Sequence, residues 1–166
     1  PFAARYLGDD SVGEAFAFLF EQFPENQTWL QKVLGVRDGG TYAEYMRFIR
    51  LLFVRRCAAK VLYENQLHTG AEEPATLYAS LLQEHLGLNI SAAYYLLDVD
   101  DGFYNAQYFR AWMLSAQMTA RLTACIGEDW VTSAETGVFL RPLWQKGQPS
   151  AEIISILLGE DSLNPD

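Results

Sequence analysis

Metal-binding side chains are scarce in this sequence: its 166 residues include two histidines and two cysteines. His68 and His85 each lack a second ligand at metal-site spacing, and neither HExxH nor a CxxC pair occurs. Leu81-Leu-Gln-Glu84-His85 misses the inverted HxxEH pattern because a leucine holds its first position. A phosphate-cradling glycine loop and a GxSxG elbow are missing too, so the chain lacks the residues of a complete enzyme of these classes. Cys57 and Cys125 lie far apart in helical contexts, which predicts two buried free thiols in a reducing cytoplasm rather than a disulfide framework. Positive charge is also short, with 12 Lys and Arg against 21 Asp and Glu and a net charge of −9. That balance argues against nucleic acid, whose phosphates demand a basic face, and against anionic lipid. No apolar run reaches the ~18 uncharged residues of a membrane span. Pro1-Phe2-Ala3-Ala4-Arg5 has no basic region followed by an apolar stretch, so no signal peptide is expected. It also has no initiator Met, and the expectation is a fragment or processed chain of cytoplasmic origin.

Apolar residues make up 50% of the chain and aromatics 14%, which excludes disorder. No alternating strand pattern recurs between turn dipeptides, so the sequence predicts an all-α array of about six to eight helices, two of them long, in one domain spanning 1–166. Asp9-Asp10-Ser11 offers N-caps for a helix from Val12 to Phe23 that Pro24 stops. Thr28–Leu34 is closed by Gly35. Thr41-Tyr-Ala-Glu44 reads as a capping box for a long helix from Tyr42 to about His68, with an apolar stripe of Tyr45, Met46, Ile49, Leu52, Phe53, Val61 and Leu62. Glu73-Pro74 starts a helix that Gly87 ends, and Ser91–Leu97 holds one or two helical turns. A second long helix is expected from about Phe103 to Ile126. Thr132 or Ser133 opens another, reaching Lys146 with a kink or break at Pro142, and Ser150 opens the last, ended by Gly159.

Four groups of residues carry candidate chemistry. Glu14 and Glu21 lie two turns apart in Val12-Gly-Glu14-Ala-Phe-Ala-Phe-Leu-Phe20-Glu21, on one face with Ala17 and Phe18. An unpartnered carboxylate inside so apolar a helix costs several kcal/mol. The face is therefore either a narrow solvent-facing stripe, or Glu14 is a metal ligand and Glu21 a residue that orients it. Tyr104 and Tyr108 share a face at the start of the second long helix, where their hydroxyls either stabilise an oxyanion or satisfy single partners in the core. Arg47, Arg50, Arg55, Arg56 and Lys60 form a basic group, read mainly as pairing with the many acids. His68 and His85 read as solvated helix-end residues, where a cation suits the helix dipole.

Tyr6-Leu-Gly-Asp-Asp-Ser-Val-Gly-Glu14-Ala-Phe-Ala-Phe-Leu-Phe-Glu21 resembles the helix that follows HExxH in zinc peptidases of the thimet oligopeptidase and oligoendopeptidase F type. Gly102-Phe-Tyr104-Asn-Ala-Gln-Tyr108-Phe is similar to that family's Gly- and Tyr-rich segment, whose tyrosines face the substrate. Arg55-Arg-Cys-Ala-Ala-Lys60-Val-Leu-Tyr-Glu64 and Phe139-Leu-Arg-Pro-Leu-Trp144 are similar to segments of uncharacterised bacterial members of the same group. The resemblance covers nearly all of this chain and only the C-terminal part of the family's length. It implies a helical fold, Glu14 as third zinc ligand, Glu21 as the acid seven residues on, and Tyr104 and Tyr108 as substrate-facing tyrosines. A further family tyrosine falls at Ala111. By this resemblance the whole protein would use zinc to hydrolyse peptides, with the HExxH helix upstream of Pro1, and this segment alone would be inactive and hold no zinc tightly. The missing N-terminal part would be its partner, and the uncovered face, through Phe16, Phe18 or Phe20, would favour a homodimer. The competing reading is a non-catalytic helical module that binds a protein partner or a small ligand.

Overall fold

The computed structural model describes residues 9–163. Among them lie seven α-helices and no strand. They are α1 (Asp10–Glu21), α2 (Gln27–Leu34), α3 (Gly39–His68), α4 (Pro74–Leu86), α5 (Tyr104–Ile126), α6 (Ala134–Trp144) and α7 (Ala151–Leu158). The all-α expectation with two long helices holds, since α3 has 30 residues and α5 has 23. Short 3₁₀ turns at Phe23–Glu25, Ala92–Tyr94, Asp101–Phe103 and Glu128–Thr132 join them. Asp9 caps α1 by accepting the Ser11 N–H at 3.0 Å, and Asn26 caps α2 by accepting that of Trp29 at 2.9 Å. No helix among the described residues is long and apolar enough to cross a membrane.

Two local expectations fail for identifiable reasons. The long helix α3 begins at Gly39, so Thr41 lies inside it rather than capping it. A Cβ on Gly39 would stand 3.1 Å from Leu30 Cδ1, so the bare glycine lets the first turn pack onto α2, and that packing outweighs the local cap. The apolar stripe read from α3 is also wrong in large part. Tyr45, Ile49 and Leu62 are exposed, while Cys57, Ala59, Lys60, Tyr63 and Glu64 are the residues buried in its second half. Counting apolar residues misses two buried polar side chains with partners from elsewhere in the chain: Lys60 pairs with Asp98 and Asp100, and Glu64 accepts the Asp100 N–H. Pro142 does not break the penultimate helix but lies inside α6, which ends at Trp144, two residues short of Lys146.

The chain forms two compact units, one from the segments up to Met46 and from Gln107 onward, the other from Arg47–Ala106. In the first, Phe18 is buried, stacked on Trp112 at 4.8 Å and met edge-on by Tyr108 at 5.5 Å. Phe23 packs against Trp29 and Trp130, and Trp144 against Phe16 and Phe20. Gln22 Nε2 donates to Ser115 Oγ and Thr119 Oγ1, both at 3.1 Å, so the C-terminal end of α1 is tied to α5. The other end is tied by Asp9. Its Oδ2 accepts from Arg110 at 2.8 Å and from the Ala151 N–H at 3.0 Å. Ser150 opens α7 as expected and stands at its N-cap; its side chain makes no capping bond there, and Asp9 accepts the orphan Ala151 amide. In the second unit, Ala59, Tyr63, Tyr78 and Leu82 form the core.

Burial pushes the Asp9 carboxyl up, but bonds from Ser11, the Ala151 N–H and Arg110 outweigh it and hold the carboxyl below the usual aspartate range. Losing the cap and the charged bonds together should lower the unfolding free energy of Asp9→Ala by about 2–4 kcal/mol. Because the folded pKa is depressed, this stability is fully present above the ordinary aspartate value and is lost as pH falls through the lowered one. Urea unfolding of wild type and Asp9→Ala should therefore converge in that acid range, and curves that stay parallel there would contradict the hub. The two thiols should also separate. Both are free, but Cys125 is exposed rather than buried as expected, while burial raises Cys57 to about 11. At about pH 8 a thiol reagent should titrate Cys125 in the native chain and Cys57 only after denaturation. Rapid native reaction of both would show the second unit to be open at Cys57.

Candidate functional site

On α1 the expected face lies at the boundary between core and solvent. Glu14 is half-buried, Phe18 buried, and Ala17 and Glu21 exposed. The narrow solvent-facing stripe thus describes Ala17 and Glu21, with Glu14 at its inner edge. Gly13 precedes Glu14, and a Cβ there would stand 3.0 Å from Gln148 Nε2, the movable end of a side chain. Surrounding protein and the charge of Glu14 together push the Glu21 carboxyl up. Phe18, one turn after Glu14, carries the ring of Tyr108 edge-on at 5.5 Å. The fold therefore gathers Glu14, Phe18, Glu21 and Tyr108 in the first unit. Tyr104 stands one turn before Tyr108 on α5 and is half-buried. Of the phenylalanines expected at an uncovered face, Phe18 is buried by Tyr108 and Trp112, Phe16 is half-buried, and Phe20 is 40% exposed.

The second unit holds a polar cluster that its sequence signal understates. Lys60, only 4% exposed, donates to Asp100 Oδ2 at 2.7 Å and stands 3.4 Å from Asp98 Oδ1. Arg56 pairs with the same Asp98 oxygen, and Tyr78 donates to Asp98 Oδ2 at 2.9 Å. Burial and this bond to a carboxylate push the Tyr78 hydroxyl up to about 12. Glu64 is fully buried; its Oε1 accepts the Asp100 N–H at 3.1 Å, and its Oε2 has no partner. The reading of the basic group as ion-pair partners holds for Arg56 and Lys60, whereas Arg55 donates to the His85 carbonyl. Both histidines sit in the last turns of their helices, as expected. Two signals mark the cluster in the sequence: Arg56, Lys60 and Glu64 recur every fourth residue on one helix face, and an Asp-x-Asp pair precedes α5.

A cavity of about 270 Å³ opens beside this cluster, lined by Arg56, Tyr78, Ile90, Tyr94, Leu97 and Asp98. Among the described residues no group of three His, Cys, Asp or Glu side chains is placed to hold a metal ion. The donor set that α1 offers is thus a glutamate pair, able to supply one oxygen ligand and a neighbour to orient it.

Burial pushes the Glu64 carboxyl up against the opposing pull of the Asp100 N–H and Lys60. With the folded pKa raised, the stability linked to this proton is present below the ordinary glutamate value and is lost as pH rises through the raised one. Lys60, Asp100 and His68 supply the charges that act on it. Glu64→Gln keeps the shape and the acceptor for Asp100 while removing the titration. It should match wild type within about 1 kcal/mol in acid and exceed it above that range, read from urea midpoints across pH. Equal pH slopes for the two proteins would rule out a protonated Glu64.

No family model, no curated protein and no solved structure matches this chain, so any functional reading has to rest on the residues themselves.

Proposed function

We propose that this chain is the C-terminal helical part of a zinc metallopeptidase of the thimet oligopeptidase and oligoendopeptidase F type, acting on peptides. The observation that carries the reading is the seating of Tyr108 on Phe18, which lies on the same helical stripe as Glu14 and Glu21. A carboxylate at the inner edge of an apolar helix, a second carboxylate two turns on and a phenol ring packed on Phe18 of the same helix would suit one wall of a hydrolytic site. Glu14 would supply one protein ligand, and two imidazoles from an HExxH helix upstream of Pro1 would complete the set. A zinc ion so held supplies Lewis-acid polarisation of the scissile carbonyl and an activated water. In this chain, Glu14 would bind the metal, Glu21 would orient Glu14, and the hydroxyl of Tyr108, with that of Tyr104 by the resemblance, would donate to the oxygen on which negative charge develops. The segment by itself, with one such carboxylate and no imidazole partner, is too poor in ligands to retain zinc.

A second reading, a helical module that takes a small ligand, is favoured by the cavity beside Arg56 and Asp98. At about 270 Å³ it falls just under the usual size of ligand sites, roughly 300–1,000 Å³. Mutations distinguish the two readings. In the protein that carries the HExxH helix, Glu14→Ala should abolish stoichiometric zinc and lower peptide hydrolysis at least about 100-fold, while Tyr108→Phe should keep zinc and lower kcat roughly 10–1,000-fold. Metal content by atomic absorption and turnover of a quenched fluorescent peptide check both. Zinc retained at full stoichiometry in Glu14→Ala, or by the 166-residue chain after dialysis against a mild chelator, would sink the peptidase reading.

A further inference from the structure

The most heavily constrained segment of the second unit is the one that delivers the chain to Tyr104. Asp100 is held from three directions. Lys60 Nζ donates to its Oδ2 at 2.7 Å, Asn105 Nδ2 donates to the same oxygen, and its own N–H is donated to Glu64 Oε1 at 3.1 Å. The three partners are almost wholly enclosed, with Lys60 4%, Asn105 2% and Glu64 0% exposed. Immediately afterwards the backbone turns through the left-handed region at both Gly102, φ 66, and Phe103, φ 57. Glycine accepts that conformation without strain; an aromatic residue does not, and it persists there only when its surroundings over-determine it.

This expense is hard to ascribe to stability alone. A buried ion pair commonly contributes no more than well-packed apolar residues of the same volume, whereas it does define a unique arrangement. The arrangement defined here is the entry into α5. Asn105 directly follows Tyr104, so the bond from its side chain to Asp100 sets the rotation of the first turn of α5 and hence the direction in which the Tyr104 side chain leaves the helix.

We propose that Lys60, acting through Asp100 and Asn105, is a positioning residue that fixes the side chain of Tyr104. The use of that fixed hydroxyl on an oxyanion rests on the peptidase reading; the fixing itself does not.

The test uses two variants. Lys60→Met removes the tie but leaves Asp100 charged and uncompensated, which endangers folding. The double variant Lys60→Met/Asp100→Asn removes the tie while keeping the charge balanced, with Asp98 still paired to Arg56. Each chain is labelled with 3-fluorotyrosine, and the Tyr104 and Tyr108 signals are assigned by Tyr104→Phe and Tyr108→Phe. In both variants the Tyr104 fluorine resonance should move toward the value of unfolded chain and sharpen, while that of Tyr108, seated on Phe18 and Trp112, stays in place. A Tyr104 resonance unmoved in the folded double variant overturns the proposal. In the protein with the HExxH helix, the double variant should keep its zinc and its KM within about twofold while kcat falls at least roughly tenfold, as misplacement of a reacting group by a fraction of an ångström implies. Undiminished kcat, alongside a Tyr104→Phe variant that is impaired, also overturns the positioning role. A Tyr104→Phe variant with full activity sinks the peptidase reading of that residue instead, and the fluorine spectrum then decides the positioning.

Discussion

Lys60 carries its charge into the interior of the second unit because two aspartates from a single short segment meet it there. An ammonium taken out of water loses several kcal/mol of solvation unless opposite charge and well-aimed acceptors replace it. Asp98 and Asp100 provide both, and each is itself shared: Asp98 with Arg56 and Tyr78, Asp100 with Asn105 and the backbone bond to Glu64. Once that set is closed, the loop between Tyr95 and Phe103 has few alternative positions. The core of Ala59, Tyr63, Tyr78 and Leu82 lies against the same helix faces, so apolar packing and charge neutralisation reinforce one arrangement.

The first unit solves a similar problem with a single carboxylate. Asp9 is at once the N-cap of α1, the acceptor for Arg110 on α5 and the partner of the first amide of α7. Arg110 also reaches Glu152 at 2.9 Å. Three helix termini or faces, separated by up to 142 residues in sequence, therefore meet at one side chain. This matters for the candidate site because Glu14 lies little more than one turn inside α1. With Asp9 at one end and Gln22 at the other, the helix has no freedom to slide or roll, and the stripe of Glu14, Phe18 and Glu21 is held at the edge of the core.

The aromatic packing completes this arrangement. Phe18 presents one face to Trp112 in a stack and an edge to Tyr108, so the phenol ring is confined by apolar contacts. Offset and edge-to-face pairs of this kind contribute about 0.5–1.5 kcal/mol beyond their area. A side chain held that way is preorganised, as the oxyanion role proposed for Tyr108 would require.

The sequence by itself determined the helices and most of their ends, because caps, glycines and prolines act over three or four residues and need nothing from elsewhere. Gly35, Gly87 and Gly159 each close a helix in the left-handed conformation, and Pro74 opens one, all as the local chemistry requires. It also marked Glu14, Glu21, Tyr104 and Tyr108 as unusual residues, since carboxylates in an apolar helix and paired tyrosines stand out from their neighbours. What it did not reveal were the long-range choices. That Thr41 would be passed over as a cap depended on Gly39 meeting Leu30. That Lys60 and Glu64 would be buried depended on where Asp98 and Asp100 come to rest. That the first amide of α7 would be bonded by Asp9 depended on two ends of the chain coming together. In each case the deciding contact joins residues from different elements of the fold. Local pattern constrains conformation one turn at a time; only tertiary structure decides which charge meets which, and therefore which polar residues are allowed inside.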